Sequence, residues 1–358
     1  MRSLAILCFV LVLIDGCVDP LEVAIPEVKF QLVVDGFITN DPGPYTVKLY
    51  RARPLETDLD RLVVEKFAKV TMKDDAGNSE LLTEVSEGIY QTAANGIRGQ
   101  IGRKYHLEIT TITAKKFFSD PEEILPVGSV EDISYEFEPR ASGDGFKIFV
   151  NAKGVPERDD LVRFRMVGTY EIETFPQLRT VRTEAGIVPN PFPCSGYGVN
   201  QNGTLTKFTD CQCCNCWVSQ YDDIPVVADE QFTANDEFKN IEVGFVPITR
   251  RTFYNKFRVE IQQMSVTPTT HNFWKLVRAQ KIGATDLFQP PAAPITGNIR
   301  SDNPDEKPLG IFWAAGVNRK AIFIEKKNLP KLIQSIDTLV APCLFIPYSS
   351  NQKPSFWQ

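Results

Sequence analysis

The chain has 358 residues, with 39 Lys and Arg against 45 Asp and Glu, a net charge of −6 and only two histidines. An acidic chain without a Lys/Arg run lacks the electrostatic footprint of a nucleic-acid binder and has little attraction for anionic lipid headgroups. Its length exceeds what one hydrophobic core usually organises, so two domains are expected.

At the N-terminus a lone basic Arg2 precedes an apolar run of 11 residues from Leu4 to Ile14. A helix that spans a bilayer needs roughly 20 residues, so the run reads as a cleaved leader over residues 1–16. It stops at Cys17, and the charged, proline-bearing stretch Val18-Asp19-Pro20-Leu21-Glu22 follows. Ile14-Asp15-Gly16-Cys17 resembles the bacterial lipobox, whose cysteine receives diacylglycerol and becomes the mature N-terminus. Asp15 stands where that pattern usually carries a small or apolar residue. Cys17 is thus the expected lipidation site, with residues 17–26 as a tether. Two or three acyl chains such as palmitate, at about 0.8 kcal/mol per buried methylene, would hold the protein to a membrane. The alternative is a plain secretory leader with Cys17 in a disulfide.

From Val28 onward the apolar residues alternate. Tyr45, Val47 and Leu49 interleave with Thr46 and Lys48, and Ala68, Val70 and Met72 with Lys69 and Thr71, as in half-buried antiparallel strands. Turn residues punctuate them at Asn40 to Pro44, Asp74 to Asn78 and Gly88. Gly88-Ile89-Tyr90, followed by Gly99 to Gly102 and Tyr105-His106-Leu107-Glu108-Ile109, resembles the closing strands of immunoglobulin-like or transthyretin-like modules, in which two such strands pair. The fold class expected is all-β. A first sandwich covers 27–125, Pro121 to Pro126 serve as a linker, and a larger β-rich domain covers 128–349.

In the second domain Val130, Ile133, Tyr135 and Phe137, the turn Ser142-Gly143-Asp144-Gly145 and the run Phe146 to Val150 predict a hairpin. Further strands are expected over Val162 to Ile172, Asn240 to Val246 and Phe257 to Ile261. One helix is expected, capped by Thr269 or Thr270, with Phe273, Leu276, Val277 and Gln280 on one face and Gly283 at its end. Trp274 flanks that face and reads as packing rather than as a ligand contact.

Residues 188–222 form a cysteine-rich insertion with too little apolar periodicity to fold by burial. With Cys8 in the leader and Cys17 lipidated, Cys194, Cys211, Cys213, Cys214, Cys216 and Cys343 remain as disulfide candidates. An even count in an exported chain favours disulfides, with the pairing open and adjacent Cys213 and Cys214 directed to different partners. The rival is zinc on the C-x2-C pair Cys213 and Cys216, but the second pair that a tetrahedral site needs is missing. No metal or cofactor is expected.

Catalytic patterns are sparse. His106 falls on the polar parity of a strand beside Glu108, and His271 lies in the first turn of the helix, so both read as surface residues. No H-E-x-x-H or G-x-S-x-G pattern occurs. The carboxylate pairs Asp74-Asp75, Glu122-Glu123, Asp159-Asp160 and Asp222-Asp223 read as solvated turns, because neighbours on an extended chain point apart. Asp302-Asn303-Pro304-Asp305-Glu306 reads as a turn rather than a calcium loop, and Asp337-Thr338-Leu339 resembles an O-glycosylation acceptor.

Several segments in order resemble one family. They are the lipidated cysteine, Leu32-Val33-Val34-Asp35-Gly36-Phe37-Ile38, Cys216-Trp217-Val218, Phe273-Trp274, Phe288-Gln289-Pro290, and Thr296-Gly297-Asn298-Ile299 leading to Leu309-Gly310-Ile311-Phe312. Together they resemble the Bacteroidota outer-membrane lipoproteins called domain of unknown function 4249, whose genes commonly lie beside TonB-dependent receptors. The resemblance implies a lipid-anchored, non-enzymatic accessory at the outer membrane, facing either the periplasm or the cell surface, with a TonB-dependent receptor as partner and ligand recognition on loops. A surface hydrolase of glycan or peptide and a structural envelope lipoprotein are the alternatives.

Overall fold

The computed structural model describes residues 30–52, 63–156, 160–184, 186–228, 233–234, 236–283, 295–330 and 338–358. The leader, Cys17, the tether, Phe288-Gln289-Pro290, Asp159 and Asp337 lie outside the described residues. The first strands are β1 (Gln31–Thr39), β2 (Thr46–Ala52), β3 (Lys69–Asp74), β4 (Ile89–Gln91), β5 (Lys104–Thr110), β6 (Lys116–Ser119) and β7 (Glu122–Glu123). Then come β8 (Ser129–Glu138), β9 (Gly145–Lys153), β10 (Val162–Glu173), β11 (Asn215–Tyr221), β12 (Val226–Ala228), β13 (Glu237–Pro247) and β14 (Lys256–Ser265). Helix α1 (Pro268–Gly283), β15 (Ile299–Ser301) and β16 (Leu309–Glu325) follow. Among the described residues the class is therefore all-β with one α-helix, as expected.

Alternation puts the residues where the sequence expects them. In β5, Tyr105, Leu107 and Ile109 are at most 1% exposed, whereas His106 and Glu108 face outward. One core collects such residues from β1 to β6, including Leu32, Val47, Met72 and Phe117. A second gathers Ile148, Val150, Phe164, Phe238, Val259 and Ile261 between the sheet β8-β9-β13 and the sheet β10-β14-β16. Each such side chain contributes roughly 1.5–3 kcal/mol when fully buried.

The two cores are not separate in the way a boundary near residue 125 suggests. An 11-stranded sheet contains the sequence β11-β10-β14-β16-β1-β2-β4, so one sheet runs through both sandwiches. Its joint is β16. Leu309 to Ala315 pair in parallel with β1, and Gly316 to Glu325 pair antiparallel with β14. On one parity, Phe312 and Ala314 enter the first core and Ile322 and Ile324 the second. On the other, Ile311, Trp313, Ala315 and Val317 lie under α1 with Phe273. The first sandwich is thus completed by β15 and half of β16, from far along the chain.

Gly316 marks where the chain crosses between sandwiches. A Cβ there would collide with the Leu125 carbonyl, and two residues on, Asn318 Oδ1 accepts the Val130 N–H at 2.9 Å. The stretch expected to be a linker is structured too, since β7 pairs with β5 and Glu122 is 3% exposed. A second local expectation fails. Ile89–Gln91 pairs with β2 in the large sheet, whereas Lys104–Thr110 pairs with β3 in the opposing one, so the two supposed closing strands face each other across the core.

Helix α1 begins earlier than expected. Thr267 Oγ1 accepts the Thr270 N–H at 3.3 Å, and Pro268 takes the first helical position, where its missing N–H costs nothing. The docked face is Thr270, Phe273, Trp274 and Val277, and Gln280 faces solvent. His271 is 7% exposed, buried at the start of the helix rather than at the surface.

Candidate functional site

The six cysteines among the described residues form three disulfides, Cys194–Cys213, Cys211–Cys214 and Cys216–Cys343. The adjacent Cys213 and Cys214 do go to different partners, and every sulfur is used. Cys216 and Cys343 are fully buried with Ile172 and Val218, which ties the C-terminal segment onto β11. The Cys343 N–H donates to the Cys213 carbonyl at 3.0 Å and reinforces the tie. The cysteine-rich segment thus fixes β11, whose last residue, Tyr221, delivers Asp222 to the turn beyond.

Asp74 and Asp75 occupy a turn as expected, and both reach Arg103 rather than pointing apart. The other pairs depart from the solvated-turn expectation, because a member of each turns inward. The Asp222 side chain is 5% exposed, and Glu122 and Asp160 are 3% and 5% exposed. Glu122 is a clamp. Its Oε2 accepts from Thr267 Oγ1 at 2.6 Å and Thr270 Oγ1 at 3.0 Å, at the start of α1. Burial raises its pKa, and the hydroxyls together with the Asn298 amide only partly offset that. His106 stays on the outer face, with Nε2 3.9 Å from Glu108. Asp302 to Glu306 form a turn in which the Glu306 N–H donates to the Asn303 carbonyl at 3.1 Å. Among the described residues, no group of three or more potential metal ligands converges.

The residues that do converge surround Arg163. In β10, Val162, Phe164 and Met166 enter the second core, so Arg163 and Arg165 project from the other face. Arg163 is 8% exposed. Its guanidinium lies 3.9 Å from the Trp274 ring centroid and 5.4 Å from that of Trp313, a cation–π arrangement. Arg163 Nη2 is 3.7 Å from Asp222 Oδ2, close enough for attraction but too long for a hydrogen bond. Burial outweighs this attraction on both sides. It pulls the guanidinium pKa down to about 10 and pushes the Asp222 carboxyl up. Arg163 remains charged at neutral pH.

Two hollows flank this pair. A cleft of about 470 Å³ opens at the edge of the second sandwich, with Arg140, Tyr221, Asp222, Asp223, Glu242 and Phe245 among its walls. The Arg140 guanidinium rests 3.7 Å from the Phe245 ring centroid, and Arg278 Nη1 donates to the Pro225 carbonyl at 2.9 Å, bracing the turn beside the cleft. A smaller hollow of about 180 Å³ lies on the α1 side of the large sheet, over Trp313 and Arg163.

Sequence reasoning missed this centre. The signal available was Val162-Arg163-Phe164-Arg165-Met166, where two arginines share the outward parity of a strand that is otherwise core. That parity alone does not say that α1 covers it, so Trp274 read as packing only. Trp274 does pack, 5.8 Å from Trp313 between ring centroids, and also stacks on Arg163. The disulfides stabilise the approach to the site without lining either hollow.

No curated protein matches the chain significantly. A family model, described as domain of unknown function (DUF4249), matches residues 18–321, and the chain belongs to that family.

Proposed function

We propose that this protein is a lipid-anchored accessory of the bacterial outer membrane, tethered through Cys17, that binds a ligand or partner for a TonB-dependent transport system rather than catalysing a reaction. The binding part rests on the cleft of about 470 Å³, a volume within the roughly 300–1,000 Å³ of small-molecule sites. Its walls combine rings with cations and carboxylates, and its turn follows a strand held by a buried disulfide. The anchor rests on Gly16-Cys17 at the end of the apolar leader, and Asp19 and Glu22 beside it resemble a surface-export signal. The family resemblance supports the transport partner. Pull-down of the tagged full chain from detergent-solubilised membranes tests this. The expected result is a co-purifying receptor barrel, lost in Cys17→Ala; recovery of the lipoprotein alone would contradict it.

One observation favours a surface hydrolase as a second reading, because Asp222, Asp223 and Glu242 line the same cleft and the Asp222 carboxyl is pushed up by burial. Against it, the Asp222 charge is committed to Arg163. Hydrolysis of a glycan or peptide panel that vanishes in both Asp223→Asn and Glu242→Gln would establish the enzyme instead.

A further inference from the structure

The smaller hollow of about 180 Å³ is built from groups that all seek an electron-rich partner. Lys48 and Arg165 border it, and neither has an ion-pair partner within 4.0 Å among the described residues. Arg163 and Trp313 close it from within, at 8% and 2% exposure. Arg163 Nε, Trp313 Nε1 and Trp274 Nε1 are buried donors with no hydrogen-bond partner among the described residues. Such groups ordinarily find partners, and those left over ask for an explanation. Asp222 answers part of the Arg163 charge from the far side, and Asp35 sits opposite Lys48 in the β1–β2 register. Three cations still face two carboxylates, in a chain whose overall charge is −6.

We infer that this hollow is a binding subsite for the carboxylate or phosphate group of a small ligand, with Lys48, Arg163 and Arg165 neutralising the anion and Trp313 supplying an apolar floor. The inference deepens the binding reading, because it names the chemistry that the protein recognises. At roughly 30 Å³ per water, the hollow takes a group the size of a dicarboxylate or one acidic monosaccharide. The sheet explains why the residues meet. Lys48, Asp35, Phe37, Trp313, Arg163 and Arg165 come from four strands of one continuous sheet and share its outward face, with α1 as a wall. Arg165 adds a second stacked cation, 4.9 Å from the Tyr221 ring centroid and 5.9 Å from that of Phe37. Tyr221 also borders the larger cleft, so an anion held here could extend its body toward that cleft.

The test uses the purified full chain in detergent, titrated with succinate, glucuronate and inorganic phosphate against potassium chloride at matched ionic strength. Tryptophan fluorescence is the readout, since Trp274 and Trp313 report on the hollow. A saturable change with at least one probe is expected, and the probe that binds tells carboxylate from phosphate. Lys48→Gln and Arg165→Gln should each weaken it by about tenfold, as loss of a charged contact does, whereas Lys207→Gln, an exposed cation remote from the hollow, should not. Circular dichroism confirms that each variant folds. No saturable response to any probe, or one that Lys48→Gln and Arg165→Gln leave intact, overturns the subsite. A response lost only in Phe245→Ala overturns the subsite while keeping the binding reading, with the larger cleft as the site. The pull-down reports on anchoring and partner independently of all these outcomes.

Discussion

Arg163 and Asp222 show what a buried pair does at the scale of single residues. Each loses solvation that the other does not fully restore, so both pKa values move toward the neutral form. The pair is therefore a weak source of stability, but losing one member is costly. Arg163→Met strands a buried carboxylate and is expected to lower unfolding free energy by about 3–5 kcal/mol. Adding Asp222→Asn should recover a large part of that loss, which urea denaturation of the single and double variants measures; strict additivity would refute the coupling. Glu122 behaves differently, since only hydroxyl and amide donors face it. Its folded pKa lies above the unfolded value, so the folded state binds more protons between the two. Its contribution to stability is therefore fully present below the unfolded pKa and is lost as pH rises through the folded pKa. Glu122→Gln should flatten this decline above the ordinary glutamate pKa of about 4.3, a comparison that urea midpoints read directly. Unchanged slopes would show that the carboxylate is solvated after all.

Among the elements, the disulfides divide by the length of chain they close. Cys216–Cys343 spans 127 residues and is buried, whereas Cys211–Cys214 spans three. Loop-closure entropy then ranks them. Cys343→Ser paired with Cys216→Ser should cost about 2–5 kcal/mol, and the Cys211/Cys214 double substitution clearly less, by urea midpoint. The reverse order would contradict the ranking. Strand assignment was legible because alternation survives in β5, β9 and β14, where each parity meets a single environment. What was not legible was long-range partnering. Gly297-Asn298 and Leu309-Gly310 read as turns and strands, yet they form a clamp. A Cβ on Gly297 would overlap the Gly310 carbonyl, and the Asn298 side chain both accepts the Phe312 N–H at 3.0 Å and donates to the Phe312 carbonyl at 2.7 Å. No local pattern states that Glu122 will meet Asn298, 176 residues away. The Arg163 centre escaped for the same reason, because its floor, wall and rim arrive from β16, α1, β1 and β2.

For the whole molecule, β16 decides how the protein unfolds. A strand that belongs to both sandwiches cannot leave one without disturbing the other, so the globular part is expected to melt as one unit. Calorimetry under reversible conditions should give a single transition whose van't Hoff and calorimetric enthalpies agree, and two resolved transitions would show that the joint at residues 309–325 is weak. The same continuity would serve the proposed binding, since it holds the α1-side hollow and the sandwich-edge cleft on one sheet, on either side of Arg163 and Asp222. With its charge of −6, the chain has little attraction of its own for an anionic membrane, so on the proposed reading placing this sheet at a bilayer would fall to acyl chains on Cys17. Mass spectrometry of the N-terminal peptide from membrane-extracted protein tests that claim most directly. The account requires a mature chain that begins at Cys17 and carries diacylglycerol; an unmodified Cys17, or a first residue elsewhere, would contradict it.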